Sequence, residues 1–149
     1  MTIDEKLKAF FEGKKVVILG FGREGRSTLK LLGSCNCKSI TVADMNPVPE
    51  SEAEGCALFC GEDYLTCLDD CDVIMKAPGV ILKNIVSDEI KAKITSQTDL
   101  FLRFCDNMII GITGTKGKST TSSLIKFFIE KSGKDTMLIG NIGVPPLER

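Results

Sequence analysis

A glycine-rich turn between an apolar run and a helical segment constrains the fold of this chain more than any other feature. Val16–Leu19 is a short apolar run, as expected for a strand buried on both faces of a parallel sheet. Residues 20–25 then read G-F-G-R-E-G, and residues 24–32 have a helical pattern that ends at Gly33. In a G-x-G-x-x-G turn the glycines permit the tight turn, the approach of a phosphate and close helix packing. The sequence therefore predicts a strand–loop–helix unit that binds an anion at the helix N-terminus.

Short apolar runs and helical segments alternate over residues 1–106. Thr2 and Glu5 form a capping-box pattern that opens a helix ending near Gly13. Further strands are predicted at 39–44, 57–59, 72–75 and 94–95, and further helices at 87–93 and 99–105. This alternation is typical of a parallel sheet with crossover helices. We therefore predict an α/β fold, a Rossmann-like parallel sheet with flanking helices, for residues 1–106.

An acidic residue, Asp44, ends the second predicted strand. At that position a carboxylate can accept hydrogen bonds from ribose hydroxyls. These features do not decide which nucleotide is bound. An NAD-binding regulatory or dehydrogenase module, and glycines that serve only the turn, remain open alternatives.

The alternating pattern restarts after Asp106. A strand at 108–113, a helix at 119–131 closed by Gly133 and a strand at 136–139 are predicted. Such a unit is too small to bury both faces of its own strands. We therefore expect residues 107–149 to be the first strand–P-loop–helix–strand unit of an ATP-binding domain whose remainder this chain lacks. Strands without neighbours also favour association with the first domain or with a second copy of the chain.

The loop of this second unit, residues 114–119, reads G-T-K-G-K-S. Backbone amides of such a loop converge on phosphate oxygens, while a lysine such as Lys118 reaches the β- and γ-phosphates and a hydroxyl such as that of Ser119 binds Mg²⁺. Ile112 stands where the common pattern has its first glycine, so the loop is a variant form. A non-catalytic phosphate-loop switch protein is a further alternative.

Charge and cysteine content narrow the function classes. The 149 residues include 19 basic and 20 acidic side chains, a balance that indicates neither a nucleic-acid nor an anionic-membrane partner. The apolar runs are too short to span a membrane and no signal peptide is evident, so a cytoplasmic protein is expected. The seven cysteines lack the C-x2-C spacing of zinc ribbons and no histidine accompanies them, which favours reduced cysteines acting as small hydrophobic residues.

Two glycine loops in this order resemble the Mur ligases of peptidoglycan synthesis, the cell-wall pathway linked to cell shape and division. The likeness is carried by residues 16–25, the strand ending in Asp44, Ala77-Pro78-Gly79-Val80, residues 111–121 and Gly140–Pro145. The second loop and residues 140–143 are typical of the whole family. The first loop together with Ala77-Pro78-Gly79 is typical of the branch that adds D-glutamate. The resemblance covers nearly the whole chain but only the N-terminal part of a three-domain protein.

The resemblance implies an ATP-dependent ligase that joins D-glutamate to UDP-N-acetylmuramoyl-L-alanine through an acyl phosphate. It implies that the first domain binds the UDP end of the substrate through Gly22, Arg23, Glu24, Asp44, Met45, Asn46, Ala77, Pro78 and Gly79, with Asn141 contributing from the second unit. It implies ATP and Mg²⁺ as cofactors. The residues implied to bind ATP are Gly114, Thr115, Lys116, Gly117, Lys118, Ser119 and Thr120. Lys118 and Ser119 are implied to be catalytic, and Ser119 to be a ligand of Mg²⁺.

The chain also departs from the family. Met45 and Asn46 stand where relatives often carry a hydroxyl and a basic side chain, which puts side-chain contacts to the uridine and phosphates in question. The family's remaining metal ligands and its D-glutamate-binding domain have no counterpart here. We therefore expect this 149-residue chain to bind the UDP substrate without catalysing ligation.

Overall fold

The computed structural model describes residues 1–82, 86–140 and 145–148. Its centre is a five-stranded sheet in which every pairing is parallel and the strand order is β3-β2-β1-β4-β5. The strands are β1 (Lys15–Leu19), β2 (Ser39–Asp44), β3 (Ala57–Cys60), β4 (Val73–Lys76) and β5 (Ile94–Thr95). The predicted Rossmann-like α/β fold is confirmed.

Helices flank this sheet at the predicted places. They are α1 (Ile3–Phe11), α2 (Arg23–Leu32), α3 (Asp88–Lys93) and α4 (Gln97–Phe104), and α5 (Lys118–Lys131) follows in the second unit. The capping box of α1 is present, because Thr2 accepts a hydrogen bond from the Glu5 amide while the Glu5 side chain accepts one from the Thr2 amide. Within the described residues, none of the helices combines the length and the apolar character needed to cross a membrane.

The central position of β1 in the sheet explains why its residues 16–19 are all apolar. Val16 and Ile18 pack into a core cluster with α1, while Val17 and Leu19 pack into a second cluster with Ile74. Alternate side chains of a strand point to opposite faces, so a strand covered on both faces must be apolar at every position. The two clusters fix β1 at the centre of the sheet.

The strand order places a topological switch point beside β1. The chain passes from β1 to β2 and β3 on one side, then returns to β4 and β5 on the other. Loops that leave β1 and β4 at their carboxyl ends therefore diverge and leave a crevice between them, where open α/β sheets bind ligands.

Two predicted strands of the second unit are not formed. Residues 108–113 lie outside any strand, and of residues 136–139 only Ile139 forms an isolated bridge. A strand is stabilised by the strands beside it, and Met108 is 92% exposed with no sheet to cover it. Local sequence was sufficient for α5, because helical hydrogen bonds are made within the segment.

The last described segment returns to the first core. Pro145, Pro146 and Leu147 are buried, and Leu147 belongs to the cluster that contains Phe11 and Leu100. The Glu148 amide donates to the Pro145 carbonyl over 2.9 Å, which closes a tight turn. Residues 145–148 are therefore attached to the sheet domain although they follow the phosphate-loop unit in the chain.

Candidate functional site

Three strand ends meet at the carboxyl edge of the sheet. Leu19 of β1 is in register with Ala43 of β2 and with Lys76 of β4. Beyond the strands, the Gly20 amide donates to the Ala43 carbonyl over 2.8 Å, and the Ala77 amide donates to the Leu19 carbonyl over 2.9 Å. The loops after β1, β2 and β4 are thereby joined by backbone hydrogen bonds at one edge.

The glycine loop is packed as its sequence predicts. Gly20 has a φ of +92°, and a Cβ there would lie 2.6 Å from Cγ2 of Val80. A Cβ on Gly25 would lie 2.2 Å from the Gly20 carbonyl oxygen, so only glycine allows α2 to start this close to β1. A Cβ on Gly22 would have no atom within 4 Å, which leaves the loop backbone open to a ligand at that point.

The Asp44 carboxylate holds this loop. Its Oδ2 accepts a hydrogen bond from the Phe21 amide over 2.6 Å, and its Oδ1 accepts from the Asn46 amide over 2.8 Å and from Asn46 Nδ2 over 3.3 Å. The Phe21 carbonyl accepts from Arg26, which is ion-paired with Glu52. Asp44 therefore organises the loops after β1 and β2, and its Oδ2, which accepts one bond, keeps acceptor capacity for a further donor.

The opposite wall of the crevice is shaped by Lys76, which the sequence did not single out. Its ammonium group donates to the Ala77 carbonyl over 3.1 Å and to the Val80 carbonyl over 2.9 Å. The Val80 amide donates to the Ala77 carbonyl over 3.2 Å and closes the turn 77–80. A lysine immediately after an apolar strand and before Ala77-Pro78-Gly79 was the available signal, because at a sheet edge its side chain can reach back over the following turn.

Glu24 and Lys76 face each other across a narrow cleft between α2 and β4. The cleft is also lined by Gly25, Thr28, Met75, Ala77 and Gln97. Burial raises the pKa of the Glu24 carboxyl above its usual value, while hydrogen bonding from the Gln97 backbone and the charge of Lys76 act to lower it. The carboxyl is thus partly desolvated at the first turn of the helix that follows the glycine loop.

The predicted UDP-site residues fall into three groups. Gly22, Asp44 and Ala77 lie on the three loops that converge, and Arg23 and Glu24 begin α2 beside them. Solvent-exposed residues of the same loops are Met45, at 64% exposure, together with Asn46, Pro78 and Gly79. Asn141 lies outside the described residues, as do residues 142–144.

The second glycine loop is open to solvent. Gly114 and Gly117 have φ values of +144° and +78°, and α5 begins immediately after Gly117. The Lys118 ammonium group folds back and donates to the Gly114 carbonyl. Residues 114–120 are all exposed, so an anion has access to the first turn of α5. This donor set fits a phosphate group, although the strand predicted before it is absent.

The seven cysteines form no disulfide. Burial raises the pKa of the Cys37 and Cys67 thiols from 9.0 to about 11, so both are protonated at neutral pH. Over the described part of the chain, no three histidine, cysteine or acidic side chains come together as a metal-ligand set. Six of the cysteines pack against the two core clusters as small hydrophobic residues do, whereas Cys60 is exposed.

Comparison with known proteins relates the chain to one kind of enzyme, although no protein-family model matches it. The UDP-N-acetylmuramoylalanine–D-glutamate ligase of Shouchella clausii is 34% identical over 139 residues, which is 88% of this chain and 31% of the relative. The ligase of the same name from Clostridium botulinum (strain Loch Maree) is 35% identical over 150 aligned positions, which is 94% of this chain and 32% of the relative. The chain thus spans about a third of the length of these relatives. The resemblance seen in the sequence is confirmed: this chain is homologous to the N-terminal part of the D-glutamate-adding Mur ligases.

Proposed function

We propose that this chain supplies the UDP-substrate site, and the start of the ATP site, of a ligase that joins D-glutamate to UDP-N-acetylmuramoyl-L-alanine. The observation that carries the proposal is the convergence of the loops after β1, β2 and β4 on one crevice at the switch point. The names of the relatives supply the reaction.

In the first site, the backbone from Gly22 onward and the N-terminus of α2 bind the diphosphate of the substrate. Unpaired amides and the helix dipole favour an anion at that point, and the open space at Gly22 leaves room for it. Arg23 adds a positive charge at the same helix end. Asp44 fixes the glycine loop and accepts a hydrogen bond from the ligand. Met45 and Asn46 flank the ligand on the exposed side of the crevice.

In the second site, the loop 114–120 and the first turn of α5 bind the phosphates of ATP. Bound MgATP supplies a γ-phosphoryl group to the alanine carboxylate of the substrate, with ADP as leaving group. The amine of D-glutamate then attacks the carbonyl carbon, the C–N bond forms and phosphate leaves. Lys118 places a positive charge where charge develops on the transferred group, and Ser119 provides a hydroxyl for the metal.

This 149-residue chain binds the substrate but does not catalyse ligation. We expect it to act in the cytoplasm. The chain contains no histidine. Among the acids that follow the phosphate loop, Glu130 is ion-paired with Lys126 on α5. We expect the metal ligands other than Ser119, and the residues that bind D-glutamate, to correspond to the two thirds of the relatives that this chain does not match.

An NAD-binding module is the main competing function. It uses the same glycine loop and the same acid at the end of β2, but it gives no role to the loop 114–120. A nucleotide panel separates the two functions, because a specific ligand raises the apparent stability of the folded chain.

The test measures thermal unfolding and calorimetric binding with UDP-N-acetylmuramoyl-L-alanine, UDP, NAD⁺ and MgATP. We expect the UDP compounds to bind and stabilise, ATP to bind weakly and NAD⁺ to have no effect. Stabilisation by NAD⁺ alone would contradict the proposal. Phosphate release that depends on D-glutamate, by chain free of contaminating ligase, would contradict the absence of turnover.

A further inference from the structure

One buried carboxamide, that of Gln97, connects two parts of the chain that are distant in sequence. Gln97 is 1% exposed. Its Nε2, which carries two hydrogens, lies within hydrogen-bonding distance of three acceptors: the Glu24 carbonyl at 3.2 Å, Ser27 Oγ at 3.2 Å and Thr28 Oγ1 at 2.9 Å. Its Oε1 accepts from the Leu147 amide over 3.2 Å. One side chain therefore bonds helix α2 at one end and residues 145–148 at the other.

The partners of the carboxamide fix its orientation. The Glu24 carbonyl can only accept, so the amino group of Gln97 must face α2 and its oxygen must face Leu147. The Thr28 hydroxyl donates to the same Glu24 carbonyl over 2.8 Å, which leaves its lone pairs for Gln97. The three groups form one connected network at the first turn of α2.

The backbone that carries Gln97 is also held in place. Gln97 is the first residue of α4, and the side chain of the N-cap residue Ser96 accepts from the Asp99 amide over 3.1 Å. Thr95, just before it, belongs to β5 and is in register with Met75 of β4. The carboxamide is thus mounted on the sheet, beside the crevice.

At the other end, Leu147 depends on this carboxamide. Pro145 and Pro146 have no amide hydrogen, so Leu147 supplies the first backbone donor of the buried segment. A buried amide without an acceptor is costly, and the acceptor present is Gln97 Oε1. Loss of this oxygen therefore disfavours the docked position of residues 145–148.

We propose that Gln97 is a positioning residue that couples ligand occupancy at the start of α2 to the docking of residues 145–148. The proposal rests on the proposed function, because it takes the ligand to be a UDP-linked substrate at residues 20–25. A ligand that immobilises this loop also immobilises the Glu24 carbonyl, which lies in the first turn of α2. The carboxamide bonded to that carbonyl then holds the Leu147 amide more tightly.

Hydrogen exchange measured by mass spectrometry on the 149-residue chain tests this coupling. Without ligand, the Leu147 amide and the first-turn amides of α2 should exchange about tenfold faster in Gln97→Met than in the wild-type chain. The β1 amides should keep their protection. With saturating UDP-N-acetylmuramoyl-L-alanine, Leu147 should gain protection in the wild-type chain and gain none in Gln97→Met.

Thr95→Val is the matched control. It removes the 2.6 Å bond from Thr95 Oγ1 to Asp99, which lies two residues from Gln97 and involves neither α2 nor residues 145–148. This variant should retain ligand-induced protection of Leu147. Should Gln97→Met fail to fold, Thr28→Val offers a milder test, because it removes one acceptor of the same carboxamide and should weaken the ligand effect at Leu147.

The outcomes separate this inference from the proposed function. Unchanged Leu147 exchange in Gln97→Met, or ligand protection that persists in it, overturns the coupling. If the wild-type chain binds no UDP-linked substrate, the proposed function is overturned. The claim that such a substrate is the ligand coupled to residues 145–148 is then overturned as well. In that case the ligand-free comparison still decides whether Gln97 links α2 to Leu147.

Discussion

The backbone amide of Phe21 donates a 2.6 Å hydrogen bond to the carboxylate of Asp44, across the two loops that leave neighbouring strands. The acid that sequence patterns associate with a ribose hydroxyl is therefore also the group that holds the glycine loop. A measurement on Asp44 therefore reports this loop contact together with any contact to a ligand, and a matched carboxylate elsewhere in the sheet is needed to separate the two contributions.

Replacing Asp44 with asparagine should weaken both folding and ligand binding. An asparagine loses the charge and turns one oxygen into a donor that faces the amide of Phe21 or Asn46. We expect a loss of about 1–3 kcal/mol in unfolding free energy, as for other bonds to charged groups. UDP-substrate affinity, measured by calorimetry, should fall about tenfold or more, which is 1.4 kcal/mol or more.

The control is Asp72→Asn at the amino end of the sheet. Asp72 Oδ2 accepts from the Lys15 amide over 2.8 Å, which is the same kind of carboxylate–amide bond. This variant should lose some stability and keep its affinity. Equal affinity losses in both variants would show that Asp44 acts only through overall stability.

The two glycines of the first loop should respond differently to alanine. In Gly25→Ala the new Cβ would lie 2.2 Å from the Gly20 carbonyl oxygen, so the start of α2 must move. Forced overpacking of this kind costs about 1–3 kcal/mol, which denaturant unfolding would detect.

Gly22→Ala serves as the partner variant, because its Cβ meets no atom within 4 Å and the backbone is not left-handed. We expect it to unfold like the wild type and to bind the UDP substrate less tightly, since the methyl group occupies the open side of the loop. Undiminished affinity in Gly22→Ala would place the ligand elsewhere.

Lys76→Met should loosen the turn 77–80 while preserving the length of the side chain. The ammonium group that bonds the Ala77 and Val80 carbonyls is lost. We expect UDP-substrate affinity to fall by about tenfold, or 1.4 kcal/mol, with calorimetry as the measurement.

Lys93→Met is the comparison for Lys76. Lys93 donates to the Asp69 carbonyl over 3.1 Å before β4, at the other end of that strand. Its loss should leave affinity unchanged. A Lys76→Met chain that binds as tightly as Lys93→Met would exclude a positioning role for Lys76.

Lys118→Ala should reduce MgATP binding by this chain. The lysine lies at the start of α5 with its ammonium group over the loop carbonyl of Gly114. In a longer protein that carries the remaining domains, ligation should slow by a factor of about 10² or more, because the lost charge matters most as the phosphoryl group is transferred. Lys126→Ala removes a lysine from the same helix and should change neither quantity; equal effects of the two would reject the assignment of Lys118.

Cysteine ionisation predicts how stability changes at alkaline pH. The pKa of the Cys37 and Cys67 thiols is raised by burial to about 11 from an ordinary value of 9.0. Between these values the unfolded chain loses protons that the folded chain keeps, so unfolding becomes more favourable as pH rises from 9.0 towards 11.

Urea unfolding across that range measures the effect, with a Cys37→Ala, Cys67→Ala double variant for comparison. The wild-type chain should lose more stability with pH than the double variant. At neutral pH the exposed Cys60 should be alkylated before the half-buried Cys37 or Cys67. Parallel pH profiles would show that the two thiols ionise normally in the folded chain.

Much of the first unit could be predicted from sequence because its signals are local. Glycine spacing in residues 20–25 dictates a close strand–helix turn, the apolar run of β1 reports burial on both faces, and Thr2 with Glu5 caps α1 through neighbouring backbone groups. Asp44 could be placed at the carboxyl edge of the sheet because the carboxyl ends of parallel strands meet at one edge.

Tertiary structure decided what depends on groups distant in the chain. The strand order and the link from α2 through Gln97 to Leu147 have no sequence signature, because each joins groups that only the folded sheet brings together. The same reason accounts for the strands that were wrongly predicted at 108–113 and 136–139. Residues with strand-forming side chains form a strand only where a neighbouring strand accepts their hydrogen bonds, whereas α5 makes its own.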